Sequence, residues 1–318
     1  MKVTVIGCGR WGTLIAWYLD KIKMEVSLYG RPESKNMKRL MEERKNDFLT
    51  LPQTVQLTTD LQSTQEAEVI VISVNAQGLQ ALMEELKPYD LRNKIFVLCM
   101  KGIEITTGRR LTQVVNDNTD FSNEAAVWIG PGHVQELYRG IPNCMVIDSN
   151  KEQVKTALVN AFHSDLIRIY YGQDLIGNEV GAAAKNVIGI AAGMLDGLNL
   201  TSLKGALMSR GTREVSRLIK AMGGNELSAY GLCHLGDYEA TVFSQYSNNR
   251  KFGELYIKGE KYEKLAEGYY TVRAMMNLGK NYGVELPISQ AVYEVLYNGK
   301  DAKATLNELF SRTIKSEF

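Results

Sequence analysis

A single lysine interrupts a segment whose other residues favour burial. Residues 181–193 read GAAAKNVIGIAAG, so Lys185 and Asn186 stand among Ala, Gly, Val and Ile. A lysine ammonium in such surroundings can serve as a general acid, because it can donate a proton to an oxygen on which negative charge develops. The alternative is a lysine that buries only its aliphatic stem and extends its ammonium into solvent.

A second group of residues with chemical meaning lies at the start of the chain. Gly7, Gly9 and Gly12 in GCGRWG fit the pattern G-x-G-x-x-G. They follow the continuous apolar run VTVIG at 3–7 and precede a helical pattern of apolar residues. This context is the one in which glycines make a tight turn, let the backbone approach a pyrophosphate and pack a helix on a strand. The pattern therefore predicts a dinucleotide site, with a plain tight turn as the alternative.

Two further candidates follow predicted strands. Lys101-Gly102 ends the apolar run at 94–102, and Gly130-Pro131-Gly132 ends the run at 125–132. In parallel sheets ligands bind beyond the carboxyl ends of the strands, so both positions are candidates for a binding site. A solvated loop lysine is the alternative interpretation of Lys101.

The end of the second predicted strand indicates which cofactor is favoured. NAD-specific folds usually place a carboxylate there, for the ribose 2′-hydroxyl. Here SLYGRPESK places Arg31 at that end, and Glu33 follows Pro32 in what we expect to be the first turn of the next helix. An arginine can meet a 2′-phosphate, so we expect both NADP and NAD to serve as cofactor, with NADPH favoured. Alternatively, Arg31 only stacks on the adenine.

The elements that must position these residues alternate along the first half. Helical patterns connect apolar runs that predict strands, namely 3–7, 24–30, 68–74, 94–102, 125–132, 143–148 and 166–171. Such alternation predicts a mostly parallel sheet. Helical patterns then dominate at 174–197, 203–222, about 262–282 and 287–297, and 243–253 is expected to be a polar loop. The predicted class is α/β: a Rossmann-like dinucleotide-binding domain over 1–172, followed by an all-helical substrate domain over 173–318.

Composition excludes several classes of function. The chain has 318 residues, of which 45% are hydrophobic and 23% charged, with a formal net charge of +1. This balance gives no reason to expect a nucleic-acid partner. The four cysteines have no metal-like spacing, so we expect no metal and a reducing, cytoplasmic setting. Met1 is followed directly by KVTVIG, with no basic n-region and no apolar h-region, so we expect no signal peptide. The longest apolar stretch is interrupted by Lys185, so we expect no stable membrane insertion.

Several motifs, in order, resemble those of NAD(P)-dependent glycerol-3-phosphate dehydrogenases of the bacterial biosynthetic type. The resemblance implies reduction of dihydroxyacetone phosphate to sn-glycerol 3-phosphate, a phospholipid precursor. It also allows for a homodimer. The motifs are GCGRWG (7–12), KGIE (101–104), GPGH (130–133), AAAKNVIGIAAGMLDG (182–197), SRGTREVSRL (209–218), LGD (235–237), NRKFG (249–253) and EGYYT (267–271).

The resemblance also implies roles for individual residues. Lys185 would be the general acid, assisted by Lys101 and Asp237 as the other catalytic residues. The small Gly181, Ala184 and Gly189 would let substrate and nicotinamide approach the helix. The cofactor-binding residues would be Gly7, Gly9, Arg10, Trp11, Gly12, Arg31, Lys101, Val134, Asn248 and Glu267. The substrate-binding residues would be Lys101, Gly130, Gly132, Lys185, Asn186, Asp237, Thr241, Ser247, Asn248 and Asn249.

Two positions depart from the family pattern. Gly132 stands where Ser or Thr is usual, and Asn248 stands where an arginine usually faces the phosphate. An amide does not replace a bidentate guanidinium, so Asn186, Lys204 and Arg250 are considered as substitutes. These departures keep two alternatives open. One is a related dehydrogenase for a different hydroxy or keto substrate, and the other is a dinucleotide-binding sensor without turnover.

Overall fold

The computed structural model of the chain describes residues 1–314 and 316. It contains two compact units. The first comprises Met1–Lys101 and Arg109–Glu179, and the second comprises Gly102–Gly108 and the chain from Val180 onward. The domain boundary between residues 172 and 173 stays a prediction.

The first unit is built on one sheet of eight strands. The strands are β1 (Lys2–Ile6), β2 (Glu25–Tyr29), β3 (Gln56–Thr58), β4 (Val69–Ile72), β5 (Ile95–Leu98), β6 (Glu124–Ile129), β7 (Asn143–Ser149) and β8 (Ile167–Tyr171). Their order is β3-β2-β1-β4-β5-β6-β7-β8. All neighbours pair in parallel except β6 and β7. The carboxyl ends of β1, β2, β4, β5 and β6 therefore lie at one edge of the sheet.

Helices connect these strands and supply much of the core. They are α1 (Arg10–Lys21), α2 (Lys35–Glu43), α3 (Ser63–Glu66), α4 (Leu79–Leu86), α5 (Leu111–Asn118), α6 (Val134–Tyr138) and α7 (Glu152–Phe162). Trp128 of β6 is fully buried, with its ring centroid 5.7 Å from that of Tyr18 and 5.0 Å from that of Phe162. These three aromatic side chains anchor α1 and α7 to the sheet.

The second unit is helical. Its helices are α8 (Leu175–Gly197, which begins in the first unit), α9 (Lys204–Ala221), α10 (Asn248–Ile257), α11 (Glu267–Tyr282), α12 (Pro287–Asn298) and α13 (Ala302–Phe310). Helices α8 and α10 approach closely because glycines face each other's backbone. A Cβ on Gly193 would lie 1.9 Å from the Arg250 carbonyl oxygen, and one on Gly253 would lie 2.2 Å from that of Ile190.

The predicted fold class is confirmed, with corrections to individual elements. The expected polar loop at 243–253 is wrong in its second half, because α10 begins at Asn248 with Ser247 as its cap. The strands β5 and β6 end earlier than predicted, so Lys101 lies in the loop beyond β5. Helix α2 begins at Lys35, so Glu33 precedes it. The sequence patterns also missed β3, α3, α5 and α13.

Among the described residues, no helix combines the length and the apolar character that crossing a membrane requires.

Candidate active site

The glycine-rich turn between β1 and α1 has the geometry that a pyrophosphate needs. Gly7 has φ +114°, and a Cβ there would lie 2.3 Å from the Ser73 carbonyl oxygen. A Cβ on Gly12 would lie 1.9 Å from the Gly7 carbonyl oxygen. By contrast, a Cβ on Gly9 would meet no heavy atom within 4 Å. Two glycines are thus required by packing, while the middle one leaves open space beside the backbone.

The start of α1 is suited to an anion. Gly9 is the N-cap of α1 and contributes no side-chain hydrogen bond to the first turn. The first N–H groups of a helix lack intrahelical partners and favour negative charge. This open turn at a helix start fits the pyrophosphate of NAD or NADP.

Two side chains of the first turn of α1 are held in defined positions. The Arg10 guanidinium lies over the Phe48 ring, 4.8 Å from its centroid, and donates to Gln135 Oε1 at 3.0 Å. The Trp11 ring faces Gly132, where a Cβ would lie 3.3 Å from its Cη2 atom. A serine or threonine at position 132 would therefore press on the Trp11 ring.

Lys101 joins the two loops that follow β5 and β6. Its ammonium donates to the Gly130 carbonyl oxygen at 2.6 Å. The structure thus brings together two of the predicted site residues within the first unit. Val134, the first residue of α6, is 1% exposed, which leaves little but its backbone for a ligand to contact.

Arg31 follows β2 as predicted, and it has a protein partner. Its Nη2 atom donates to Glu85 Oε1 of α4 at 2.5 Å. Both side chains are exposed, with relative exposures of 53% and 40%. The proposed contact of Arg31 with a 2′-phosphate stays a prediction.

Lys185 is buried in the middle of α8 and is ion-paired. Its Nζ atom lies 2.6 Å from Asp237 Oδ2 and donates to Thr241 Oγ1 at 2.8 Å. Thr241 in turn donates to the Asp237 carbonyl oxygen at 2.7 Å. The exposed fractions of the Lys185 and Asp237 side chains are only 8% and 1%. The structure thus unites three predicted site residues, and the lysine does not extend into bulk solvent.

Two irregular turns place Asp237 and Thr241. Asp237 ends the 3₁₀ turn Leu235–Asp237, and Thr241 lies in the π-helical turn Glu239–Phe243. Turns of the π type occur frequently at functional sites, because the extra residue re-aims the side chains. Here the two turns direct a carboxylate and a hydroxyl at the same amino group.

A buried histidine supports this arrangement. His234 Nδ1 lies 2.8 Å from the Gly181 carbonyl oxygen, and its Nε2 lies 2.7 Å from Tyr238 Oη. A carbonyl can only accept, so Nδ1 carries the proton and Tyr238 donates to Nε2. Burial is the main cause that lowers the pKa of His234 to about 4. The ring is therefore neutral at pH 7 and ties the 3₁₀ turn to α8.

The amides predicted to bind substrate are bonded to each other. Asn249 Nδ2 donates to Asn186 Oδ1 at 3.0 Å, and the Gly268 N–H donates to Asn249 Oδ1 at 2.9 Å. This chain links α8, α10 and the start of α11. Glu267, a predicted cofactor contact, is the first residue of α11.

The two cations considered as phosphate ligands share a carboxylate. Lys204 Nζ lies 2.7 Å from Asp196 Oδ1, and Arg250 Nη1 lies 2.8 Å from Asp196 Oδ2. Ser247 accepts from the Arg250 N–H as the cap of α10, and Asn248 is exposed. A substrate phosphate would thus have to compete with Asp196 for both cations.

Comparisons with known proteins identify the family of this chain. Residues 2–155 match the family model for the N-terminus of NAD-dependent glycerol-3-phosphate dehydrogenase. Residues 174–307 match the model for its C-terminus. The chain belongs to the NAD-dependent glycerol-3-phosphate dehydrogenase family.

Individual relatives span the whole chain. Glycerol-3-phosphate dehydrogenase [NAD(P)+] of Chlorobium limicola is 33% identical, over 100% of this chain and 99% of the relative. The enzyme of the same name from Clostridium botulinum strain Alaska E43 is 35% identical, over 99% of each chain. The crystal structure of glycerol-3-phosphate dehydrogenase from Coxiella burnetii aligns with a TM-score of 0.92 at 27% identity, over 98% of this chain and 99% of that one.

Some glycines of this dehydrogenase have a use other than the one expected from its sequence. Gly181 and Gly189 were expected to leave room for ligands beside α8. A Cβ on Gly181 would instead lie 3.1 Å from His234 Cβ, and one on Gly189 would lie 2.7 Å from Thr241 Cγ2. Ala184 is fully buried. These small residues admit the protein's own turns, and those turns bring Asp237 and Thr241 to Lys185.

Sequence reasoning missed several residues that contact the predicted site residues within each unit. Glu85 lies outside every motif, and Asp196 lies in the motif at 182–197 without a predicted role, so the roles of both follow only from the cations that they contact. For His234 and Tyr238 a local signal exists: the two residues are four apart in a turn-rich segment that also contains Asp237. A histidine and a tyrosine at that spacing can face each other across one helical turn.

Proposed function

We propose that this protein catalyses the NAD(P)H-dependent reduction of dihydroxyacetone phosphate to sn-glycerol 3-phosphate, and that the product serves phospholipid synthesis. The observation that carries the proposal is the buried contact of Lys185 with Asp237 and Thr241. A sensor that only binds a dinucleotide would have no need for a buried ammonium with a dedicated carboxylate.

The residues divide the chemistry among themselves. NAD(P)H, once bound, supplies the hydride that adds to the carbonyl carbon of the substrate. Lys185 donates a proton to the carbonyl oxygen as negative charge develops there. Asp237 balances the ammonium and, with Thr241, fixes the direction of its N–H bonds. Since these groups are already aligned, they need little reorganisation during the reaction.

Other residues bind rather than react. Gly7, Gly9 and Gly12 shape the turn for the pyrophosphate, flanked by Arg10 and Trp11. Lys101 and Gly130 are proposed to contact the substrate. Val134 and Glu267 are proposed to contact the cofactor.

The phosphate of the substrate is assigned to the start of α10. Ser247, Asn248 and Asn249 lie there, with Asn186 beside Asn249, and the N-terminus of a helix attracts anions. This assignment is supported by the ion pairs of Lys204 and Arg250 with Asp196, which leave them less suited to the role.

A substrate panel tests the function. Each reaction contains purified protein, NADPH and one candidate substrate: dihydroxyacetone phosphate, dihydroxyacetone or one of a set of 2-keto acids. The oxidation of NADPH is followed by absorbance. Among these candidate substrates, we expect turnover only with dihydroxyacetone phosphate. Turnover only with another ketone would show a different dehydrogenase, and binding of NADPH without turnover would show a sensor.

We also propose a homodimer in a reducing, cytoplasmic setting. All four cysteines are free thiols, and three of them are buried. Phe310 and Ile314 expose large apolar side chains, which a partner subunit could cover. Sedimentation equilibrium tests the assembly, because a concentration-independent mass of 35.6 kDa would show a monomer.

A further inference from the structure

The ion pair between Arg31 and Glu85 lies where the adenosine end of a dinucleotide is expected. Arg31 follows β2, and Glu85 is on α4, which follows β4. Strands β2 and β4 flank β1 on either side, and β1 leads into the glycine turn. In this fold the residue at the end of the second strand reads the 2′ position of the adenosine ribose. Glu85 thus contacts the side chain that reads this position.

The backbone of Arg31 is constrained at the end of β2. Pro32 restricts the preceding residue to extended conformations, and the Ser34 N–H donates to the Arg31 carbonyl oxygen at 3.0 Å. The Arg31 guanidinium, in turn, is engaged by the ion pair with Glu85. Burial of Tyr29 raises its pKa, and Glu85 adds to this effect while Arg31 opposes it, so both charges lie near the end of β2.

The carboxylate that is missing from the end of β2 is supplied by α4. Strand β2 ends at Tyr29, and Gly30 and Arg31 follow it, so no acidic residue stands at this end. Glu85 is brought to the same guanidinium from another element, through a contact that spans 54 residues of sequence. A carboxylate at this place can accept a hydrogen bond from a ribose 2′-hydroxyl, as the strand-end acid does in NAD-specific folds.

The two cofactors interact with this pair in opposite ways. A 2′-phosphate can bind a guanidinium through two charge-assisted hydrogen bonds, but it must displace Glu85 and then lies beside its negative charge. An exposed ion pair is weak enough for such displacement. NAD carries a hydroxyl in place of the phosphate, so it leaves the pair intact and meets no repulsion.

We propose that Glu85 is a specificity-determining residue that restrains the preference for NADP over NAD by occupying Arg31. The proposal rests on the proposed function, since it concerns the cofactor of that reaction. Glu85 makes the enzyme accept both cofactors although the end of β2 carries an arginine.

The test measures binding rather than turnover. Dissociation constants of the intact protein for NADPH and NADH are determined by nucleotide fluorescence at low salt, for the wild type, Glu85→Gln, Arg31→Ala and the double variant that combines the two changes. Adenosine 2′,5′-bisphosphate and AMP serve as fragment probes, read by calorimetry, because they differ only at the 2′ position and lack the nicotinamide. Glu84→Gln is the matched control, since Glu84 is the neighbour of Glu85 on α4 and pairs with Lys87 at 2.5 Å.

We expect Glu85→Gln to tighten NADPH binding and to shift the NADPH-to-NADH preference toward NADPH by about fivefold, the upper range for an exposed ion pair. In this variant the affinity for adenosine 2′,5′-bisphosphate should rise relative to that for AMP by a similar factor. Arg31→Ala should weaken NADPH selectively and remove the effect of Glu85→Gln in the double variant.

Other results would overturn the proposal. They are an unchanged preference in Glu85→Gln, an equal shift in Glu84→Gln, or an effect that persists without Arg31. Because binding is measured without substrate, these results are distinct from a failure of dihydroxyacetone phosphate reduction, which the substrate panel detects.

Discussion

At the scale of single residues, the buried ion pair of Lys185 explains why a lysine stands in an apolar segment. A buried charge is tolerated only with a partner, and Asp237 provides one at 2.6 Å. Thr241 adds a hydrogen bond to the same amino group. The ammonium can therefore be kept inside the protein, where its interaction with a developing oxyanion is stronger than in water.

Replacement of Lys185 tests its role as the general acid. We expect Lys185→Ala to lower kcat by at least about 10²-fold, the range for loss of a general acid, with the dissociation constant of NADPH unchanged. The variant removes the ammonium that contacts the buried Asp237 carboxylate, so circular dichroism must first confirm that it folds. Lys220→Ala, on the exposed surface of α9, is the control, and near-wild-type turnover in folded Lys185→Ala would refute the assignment.

The departure at Asn248 leads to a second prediction. Because Lys204 and Arg250 are both paired with Asp196, an arginine at the exposed position 248 would be an additional cation at the start of α10. We expect Asn248→Arg to lower KM for dihydroxyacetone phosphate severalfold without changing kcat. Asn248→Gln lengthens the side chain without adding charge and should leave KM unchanged. If both variants match the wild type, the phosphate does not bind at this position.

At the scale of elements, the contact between α8 and α10 holds the second unit together near the site. The contact depends on glycine, because a Cβ on Gly193 would lie 1.9 Å from a backbone oxygen of α10. Backbone cannot move aside as the end of a flexible side chain can. The same helices carry Lys185, Asn186 and Asn249, so a shift between them would disturb the residues proposed to bind substrate.

A pair of glycine substitutions measures this dependence. We expect Gly193→Ala to lower the free energy of unfolding by about 1–3 kcal/mol or more, the usual cost of overpacking. Gly205→Ala is the matched control, because Gly205 lies in α9 and a Cβ there would meet no heavy atom within 4 Å. It should raise stability by about 0.4–1 kcal/mol. Urea denaturation measures both, and equal effects would show that the close approach is not required.

At the scale of the whole molecule, buried titratable groups link stability to pH. Burial raises the pKa of Glu179, Glu214 and Asp148, although each accepts hydrogen bonds. Burial has the opposite effect on the pKa of His234, which it lowers to about 4, because the charged form of histidine is the protonated one. A carboxyl with a raised pKa favours folding at low pH, whereas a histidine with a lowered pKa opposes it.

The contribution of His234 can be isolated. Its pKa falls from 6.5 to about 4 on folding. Its contribution to the free energy of unfolding is therefore complete above pH 6.5 and is lost as the pH falls from there through about 4. Between pH 7.5 and 4.5 we expect the wild type to lose about 2–3 kcal/mol more unfolding free energy than His234→Gln. Urea denaturation at both pH values provides the measurement. The exposed His163→Gln should behave as the wild type, and a loss in His234→Gln equal to that of the wild type would contradict the assignment.

Local patterns predicted the strand, glycine turn and helix that begin the nucleotide-binding half, and they singled out Lys185 as a lysine in an apolar segment. The run at 3–7, the glycines at 7, 9 and 12 and the following helical periodicity are adjacent in sequence, so their geometry is dictated by local sterics. Helix α10 was missed because its first turn is Asn-Asn-Arg-Lys and only Gly253 is buried, which gives no apolar period. Strand β3 has only three residues, too few for a periodic signal.

Only the tertiary structure decided which side chains from distant segments contact Lys185 and Arg31. Thr241 reaches Lys185 across 56 residues of sequence, and Glu85 reaches Arg31 across 54. Periodicity shows which face of an element is buried, but it carries no information on which distant segment covers that face. Thus the sequence by itself determined that Lys185 and Arg31 could do chemistry, and the packing of distant turns and helices determined the carboxylates that control them.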